Sequence, residues 1–151
     1  MVEARSDVTL PVAPGVAFAA VADLANADWL PAVRGVRHVG GPESGIGARY
    51  EVEAGFVGRH LRGVLVCREF EPPRRMVMVL EDGLDLTISV SVAPAGVGSR
   101  VEIGARYSIG GGPLAGAVER ASQGAARRET ARACEQLAAK LGRSSREERP
   151  A

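Results

Sequence analysis

Two tyrosines, a histidine and a pair of arginines are the side chains of this chain best equipped to act on a small molecule. Tyr50 and Tyr107 each fall on the apolar side of an alternating stretch. A phenol so placed can donate a hydrogen bond to a ligand carbonyl or protonate an enolate. A packing tyrosine with its hydroxyl on backbone fits the same pattern. His60 could act as a general base, since an unperturbed imidazole titrates near ~6.5. Its place beside the turn at 55–58 equally suits a surface histidine. His38 reads as an ordinary strand or loop histidine.

The stretch 59–69 can be read in two ways. Leu61, Gly63, Leu65 and Cys67 form one face; His60, Arg62, Val64, Val66 and Arg68 form the other. A one-residue slip exchanges the two sets. The first reading lines the interior with apolar groups. The second brings in an imidazole and two guanidiniums, which are costly to bury without partners.

Other constellations are negative. Asp82 and Asp85 flank Gly83 and read as a hairpin, not a carboxylate pair for glycosyl chemistry. Gly110-Gly111-Gly112 lacks the Lys-Ser/Thr of a phosphate loop and reads as a flexible link. There is no Gly-x-Ser-x-Gly elbow and no His pair spaced for a metal. Cys67 and Cys134 form no CxxC motif and are expected as buried thiols in a reducing cytoplasm. No metal site and no cofactor are expected.

The elements that must position these groups follow from periodicity. Residues 3–12 alternate weakly and read as a first strand. Pro14 opens a helix through Leu24, as proline at a first turn favours. Asn26-Ala27-Asp28 breaks it, and Asp28 is expected to cap a short second helix through Trp29 and Leu30. From 33 to 109, runs rich in Val, Ile, Leu and Thr alternate with Gly and Pro turns, giving six consecutive antiparallel strands. The clearest, 84–92, puts Leu84, Leu86, Ile88, Val90 and Val92 on one face; Val101, Ile103, Ala105 and Tyr107 repeat the pattern. A long helix from Pro113 to Leu141 follows, its inner face traced by Leu114, Val118, Ala121, Ser122, Ala125, Thr130, Cys134, Leu137 and Leu141. Gly142 is expected to end it, leaving 143–151 as a polar, disordered tail.

A sheet with one wet face must bury the other, and only the last helix is long enough to cover it. The expected fold is α+β: an antiparallel sheet of about seven strands curled around a long C-terminal helix, with two short helices after the first strand. Length and composition agree. The 151 residues (15.7 kDa) make one domain, expected at 1–142. With 46% hydrophobic and 25% charged residues, the chain is of ordinary globular type. A formal charge of +1 leaves no footprint for a sequence-independent nucleic-acid binder. No apolar run reaches the ~18 residues of a membrane span. The charged N-terminus has no signal-peptide core, so a cytoplasmic location is expected. Of 19 basic residues only Lys140 is lysine. The aromatic count is just six, against 19 glycines and many alanines. Native interiors pack densely, so a helix and sheet with so little bulk are expected to leave an open cavity.

The element order resembles the helix-grip fold of the START-like (SRPBCC) superfamily, in particular its polyketide cyclase/dehydrase branch. The matching stretches are 12–23 (Val12-Ala13-Pro14-Gly15 through Asp23), Trp29-Leu30-Pro31-Ala32-Val33, Gly45-Ile46-Gly47-Ala48-Arg49-Tyr50, and Phe70-Glu71-Pro72-Pro73-Arg74-Arg75-Met76. The resemblance implies a ligand cavity between helix and sheet. In aromatase/cyclase members an inward arginine on a strand grips the polyketide chain, and Arg68 best matches it by distance from the 72–75 turn.

Two functions follow as expectations. One is a cofactor-independent, polyketide cyclase-like enzyme of bacterial secondary metabolism (antibiotic biosynthesis included) that folds a hydrophobic intermediate and closes a ring. Tyr50, Tyr107, His60 and Arg68 would be its catalytic groups. Trp29, Val52, Leu65, Cys67, Leu86, Ile88 and Ile103 would hold the substrate. The other is a non-catalytic binding, transport or sequestration protein for a hydrophobic small molecule. A monomer or homodimer suits either.

Overall fold

A computed structural model describes residues 2–26, 28–30, 32–56, 59–81, 85–108 and 115–148, without the side chains of 56, 59, 61, 115 and 143–148. Leu84, the 110–113 link and Leu114 lie outside the described residues. Strand β1 is Val2–Leu10; helix α1 is Pro14–Ala22; a single 3-10 turn covers Leu24–Asn26. Strands β2 (Val33–Gly40), β3 (Arg49–Phe56), β4 (Arg59–Glu71), β5 (Arg75–Glu81), β6 (Asp85–Ala95) and β7 (Gly98–Ser108) follow, then helix α2 (Ala115–Glu148).

The expected α+β architecture is present: seven strands form one antiparallel sheet in the order β1-β7-β6-β5-β4-β3-β2. β1 and β2 thus lie on opposite edges, and the segment between them must cross the sheet. α1 begins on Pro14, with Ala13 extended before it, and packs on β6 and β7. The 3-10 turn reaches β2. The second short helix therefore lies at 24–26, not around Trp29, and Asp28 does not cap it. Asp28 instead accepts from Lys140 Nζ of α2 at 2.7 Å. That bond is the main cause holding the Asp28 carboxyl below its usual pKa.

Alternation decides the inner face. Ala4 and Leu10 of β1, Val90 and Val92 of β6, and Val101, Ile103 and Tyr107 of β7 are buried. α2 covers them with Ser122, Ala126, Thr130, Ala133, Cys134, Leu137 and Leu141, lying chiefly on β1. Each large apolar side chain so buried contributes roughly 1.5–3 kcal/mol. Small helix residues allow the close approach, and Ser6 and Thr130 bond across it at 2.9 Å. Val118 and Ala121 are exposed, so the buried stripe begins at Ser122. α2 also continues through Gly142 to Glu148. An isolated glycine costs a helix only about 1 kcal/mol, and the Arg and Glu residues beyond it favour helix.

The outer face explains the arginines. Glu81 takes Arg49 at 2.6 Å and Arg68 at 3.1 Å; Arg62 reaches Glu51 and Glu53; Arg75 reaches Glu69; Arg100 pairs with Asp7. Val66 and Val77 are buried although they point away from α2, as apolar residues can be beneath the stems of long charged side chains.

β4 settles its two readings. Leu65 and Cys67 belong to the main core, while His60, Arg62 and Arg68 are exposed. The alternation then breaks: a bulge between Cys67 and Glu69 leaves Arg68 unpaired in the ladder with β5. An extra residue reverses the parity beyond it, so Phe70 points inward with Cys67.

Candidate functional site

The site lies at the end of the sheet that carries the β2–β3 loop (41–48), the β4–β5 turn at Pro72-Pro73 and helix α1. A cleft of about 870 Å³ opens there. Phe18, Ala19 and Ala22 of α1 form one wall; Tyr50, Phe70, Pro72 and Pro73 form the other. The Phe18 and Phe70 rings meet edge to face, centroids 5.4 Å apart at 62°. The Pro72-Pro73 peptide bond is cis. Most of the lining is apolar, with Asp23, His38, Glu43, Ser44 and Tyr50 as its polar members.

Backbone geometry holds the loop that carries Glu43 and Ser44. Gly41 adopts φ +67°, and a Cβ there would run into the Gly47 carbonyl. Only glycine closes this turn without strain. The loop is tied to β4 by Gly47 N–H donating to Cys67 O at 2.9 Å and by Cys67 N–H donating to Ala48 O at 3.0 Å. His38 pairs with Tyr50 across β2 and β3, so both rings point to the cleft. Their centroids are 5.5 Å apart. His38 Nε2 lies 2.9 Å from Pro42 O. The Tyr50 hydroxyl donates to the Glu43 carbonyl.

Burial, first, and then the charges of Asp23 and Glu43 raise the pKa of Tyr50 above that of a free phenol. Tyr50 is thus a neutral phenol at physiological pH, a weaker acid than a free phenol, with its proton engaged on the Glu43 carbonyl. Burial likewise raises Cys67. That thiol sits beneath the floor, beside a void of about 10 Å³ that it shares with Ala22, Ser44, Tyr50 and Phe70.

Of the residues singled out from sequence, the structure brings Tyr50 to the cleft wall. Tyr107 lies at the far end of the sheet, buried with Val2, Ala4 and Ala126, its hydroxyl 3.4 Å from Ser122 O. His60 and Arg68 stand on the outer face, Arg68 against Glu81. Trp29, Val52, Leu65 and Ile103 pack in the main core with Ile88 partly buried at its margin, while Leu86 packs against the smaller cluster of Val2, Ala4, Tyr107 and Ala126. Among the described residues, the buried Trp29 Nε1 has no hydrogen-bond partner. Among the described residues, this cleft is walled by α1 and not by α2, so it is not the helix-and-sheet cavity the composition suggested. Sequence reasoning missed His38, Asp23, Glu43, Phe18 and Phe70. His38 lies between bulges in β2 and Phe70 lies beyond the bulge in β4, so strict alternation hid both. Among the described residues, no three His, Cys, Asp or Glu side chains gather to hold a metal. No described helix is long and apolar enough to cross a membrane.

Comparison with known proteins agrees with this architecture. A family model described as polyketide cyclase / dehydrase and lipid transport matches residues 1–142. No curated relative matches the sequence. A crystal structure from Thermus thermophilus superposes with a TM-score of 0.81 at 18% identity, covering 95% of this chain and 99% of that one. A START superfamily protein from Mycobacterium smegmatis gives 0.71 at 11% identity, covering 94% and 98%. The di-domain ARO/CYC protein BexL of the BE-7585A biosynthetic pathway gives 0.67 at 20% identity, covering 91% of this chain and 46% of that protein. At these identities the structural likeness speaks to the fold alone. The family match spans nearly the whole sequence, and the chain belongs to the polyketide cyclase / dehydrase and lipid transport family.

Proposed function

We propose that this member of the family binds a hydrophobic, ring-containing small molecule in the cleft between α1 and the Tyr50–Phe70 wall, and acts as a binding, carrying or sequestering protein. The single observation behind this reading is the cleft itself. Its volume of about 870 Å³ falls in the range of small-molecule sites, and its mostly apolar wall carries a few polar groups. The edge-to-face pair of Phe18 and Phe70 offers a ring-shaped ligand an aromatic contact.

The test is calorimetric titration with 2-naphthalenemethanol, a neutral two-ring probe, on the full chain and on Ala19→Trp. Ala19 is exposed at the cleft wall, so an indole there fills the space without entering the core. Saturable one-site binding that Ala19→Trp abolishes, at unchanged melting temperature, supports the reading. Equal binding to both proteins places the ligand elsewhere and rejects it.

Ring closure on a bound intermediate is the second reading, favoured by the Tyr50 phenol and the His38 imidazole on one wall. Confinement in a near-attack pose would supply most of the acceleration, on the order of 7–11 kcal/mol at best. To protonate an enolate, Tyr50 would have to release its bond to the Glu43 carbonyl and then recover a proton from solvent. Under this reading Tyr50→Phe lowers turnover while ligand affinity holds.

A further inference from the structure

The polar groups of the cleft share one property: nearly all are left as acceptors. Asp23 Oδ2 accepts from Asn26 Nδ2 at 3.0 Å, and the carboxylate has further lone pairs. Glu43 contributes a second carboxylate. The Tyr50 proton is used on the Glu43 carbonyl, so its phenolic oxygen offers only lone pairs to a ligand. His38 Nε2 faces the Pro42 carbonyl, which can only accept. The proton of the neutral ring is therefore on Nε2, and Nδ1 is a bare acceptor. Ser44 can either donate or accept. No lysine or arginine is among the described lining residues.

The acceptors are not evenly spread. Ala22 and Asp23 stand at the carboxyl end of α1, where free carbonyls add partial negative charge. Gly15 lies at the opposite, amino end. Resting on the assignment of this cleft as the binding site, we propose that its ligand is an aromatic or polycyclic molecule carrying a protonated amine or another strong hydrogen-bond donor, with that group at the Asp23–Glu43 end. A molecule presenting only carbonyls or a carboxylate would meet lone pairs and like charge. It would lose its hydration there without gaining donors in return. An ammonium there has two carboxylates and a phenolic oxygen to pair with, while the aromatic wall of Phe70 and the edge of Phe18 is left to its rings.

The test uses three matched probes at pH 7.5 in low salt: 2-naphthylmethylamine, 2-naphthalenemethanol and 2-naphthoate. The amine is expected to bind about tenfold or more tighter than the carboxylate, with the alcohol between. Added salt should narrow the gap. Asp23→Asn and Glu43→Gln should each shrink the amine-to-carboxylate ratio. Glu43→Gln alters only an exposed loop side chain and so guards against a folding defect in the helix-end variant. Equal affinity for amine and carboxylate, or a ratio unmoved in both variants, overturns the inference and leaves the binding site standing. Failure of all three probes to bind overturns the site assignment and the inference together.

Discussion

His38 and Tyr50 face each other across β2 and β3 with ring centroids 5.5 Å apart at 67°, and each spends a polar hydrogen-bonding group on a carbonyl of the same loop. Pro42 receives one and Glu43 the other. The two rings thereby fix the loop over the cleft. They do so at the expense of their own capacity to donate to a ligand.

Tyr50→Phe removes the donor to Glu43 O and leaves that carbonyl to find water. A lost hydrogen bond of this kind costs about 0.5–1.5 kcal/mol. Urea unfolding should show a midpoint lowered by that amount with an unchanged slope. A larger loss would mean that the ring, and not the hydroxyl, had been disturbed.

Arg68 makes a contrasting case. Its guanidinium lies on the outer face against Glu81, and its side chain is 55% exposed. Arg68→Ala should change stability by less than about 1 kcal/mol, as exposed ion pairs do. It should leave 2-naphthalenemethanol affinity unchanged. A large loss of affinity would show that β4 turns its other face to the ligand.

Alkaline pH should weaken the fold. Burial pushes the Cys134 thiol up to about 11 and raises Cys67 as well. Unfolded thiols ionise near ~8.5. Between those values the unfolded chain has released protons that the folded chain still holds, so stability falls as pH rises. Urea midpoints should change little between about pH 7 and pH 8 and decline from there toward pH 11. Cys134→Ala should flatten the decline, and an identical slope in that variant would exclude Cys134 as its source.

Two glycines predict opposite signs. Gly41 has φ +67° and no room for a Cβ, so Gly41→Ala should destabilise by more than about 1 kcal/mol and weaken ligand binding. Gly124 lies within α2, where an added Cβ makes only ordinary contact with Arg128 at 3.5 Å. Gly124→Ala should stabilise by about 0.5–1 kcal/mol. Thermal melts of the two variants on one scan would show the split.

Strand alternation carried most of the fold into view. Leu86 through Val92 and Val101 through Tyr107 repeat with period two, and both strands sit where that period puts them. The long helix followed from the need to cover one face. The cleft was harder to see because it depends on departures from period. One inserted residue at Arg68 turns Phe70 inward, and irregularities either side of Gly35–His38 bring an imidazole beside Tyr50. Asp23 and Glu43 sit in segments with no periodicity to place them. Tyr50 was legible because its strand is regular from Arg49 onward.

The position of β1 has a consequence for how the chain is made. Val2 pairs with Tyr107, and Leu10 with Ser99, so the first strand must find the last. During synthesis β2 to β6 can zip together through short hairpins as they emerge. β1 has no partner in the finished sheet until about a hundred further residues have left the ribosome. α1 shares that delay, because the strands it packs on, β6 and β7, come late. Closure of so long a loop is slow relative to hairpin formation. The cleft, with α1 as one wall, is therefore among the last parts of the molecule to exist.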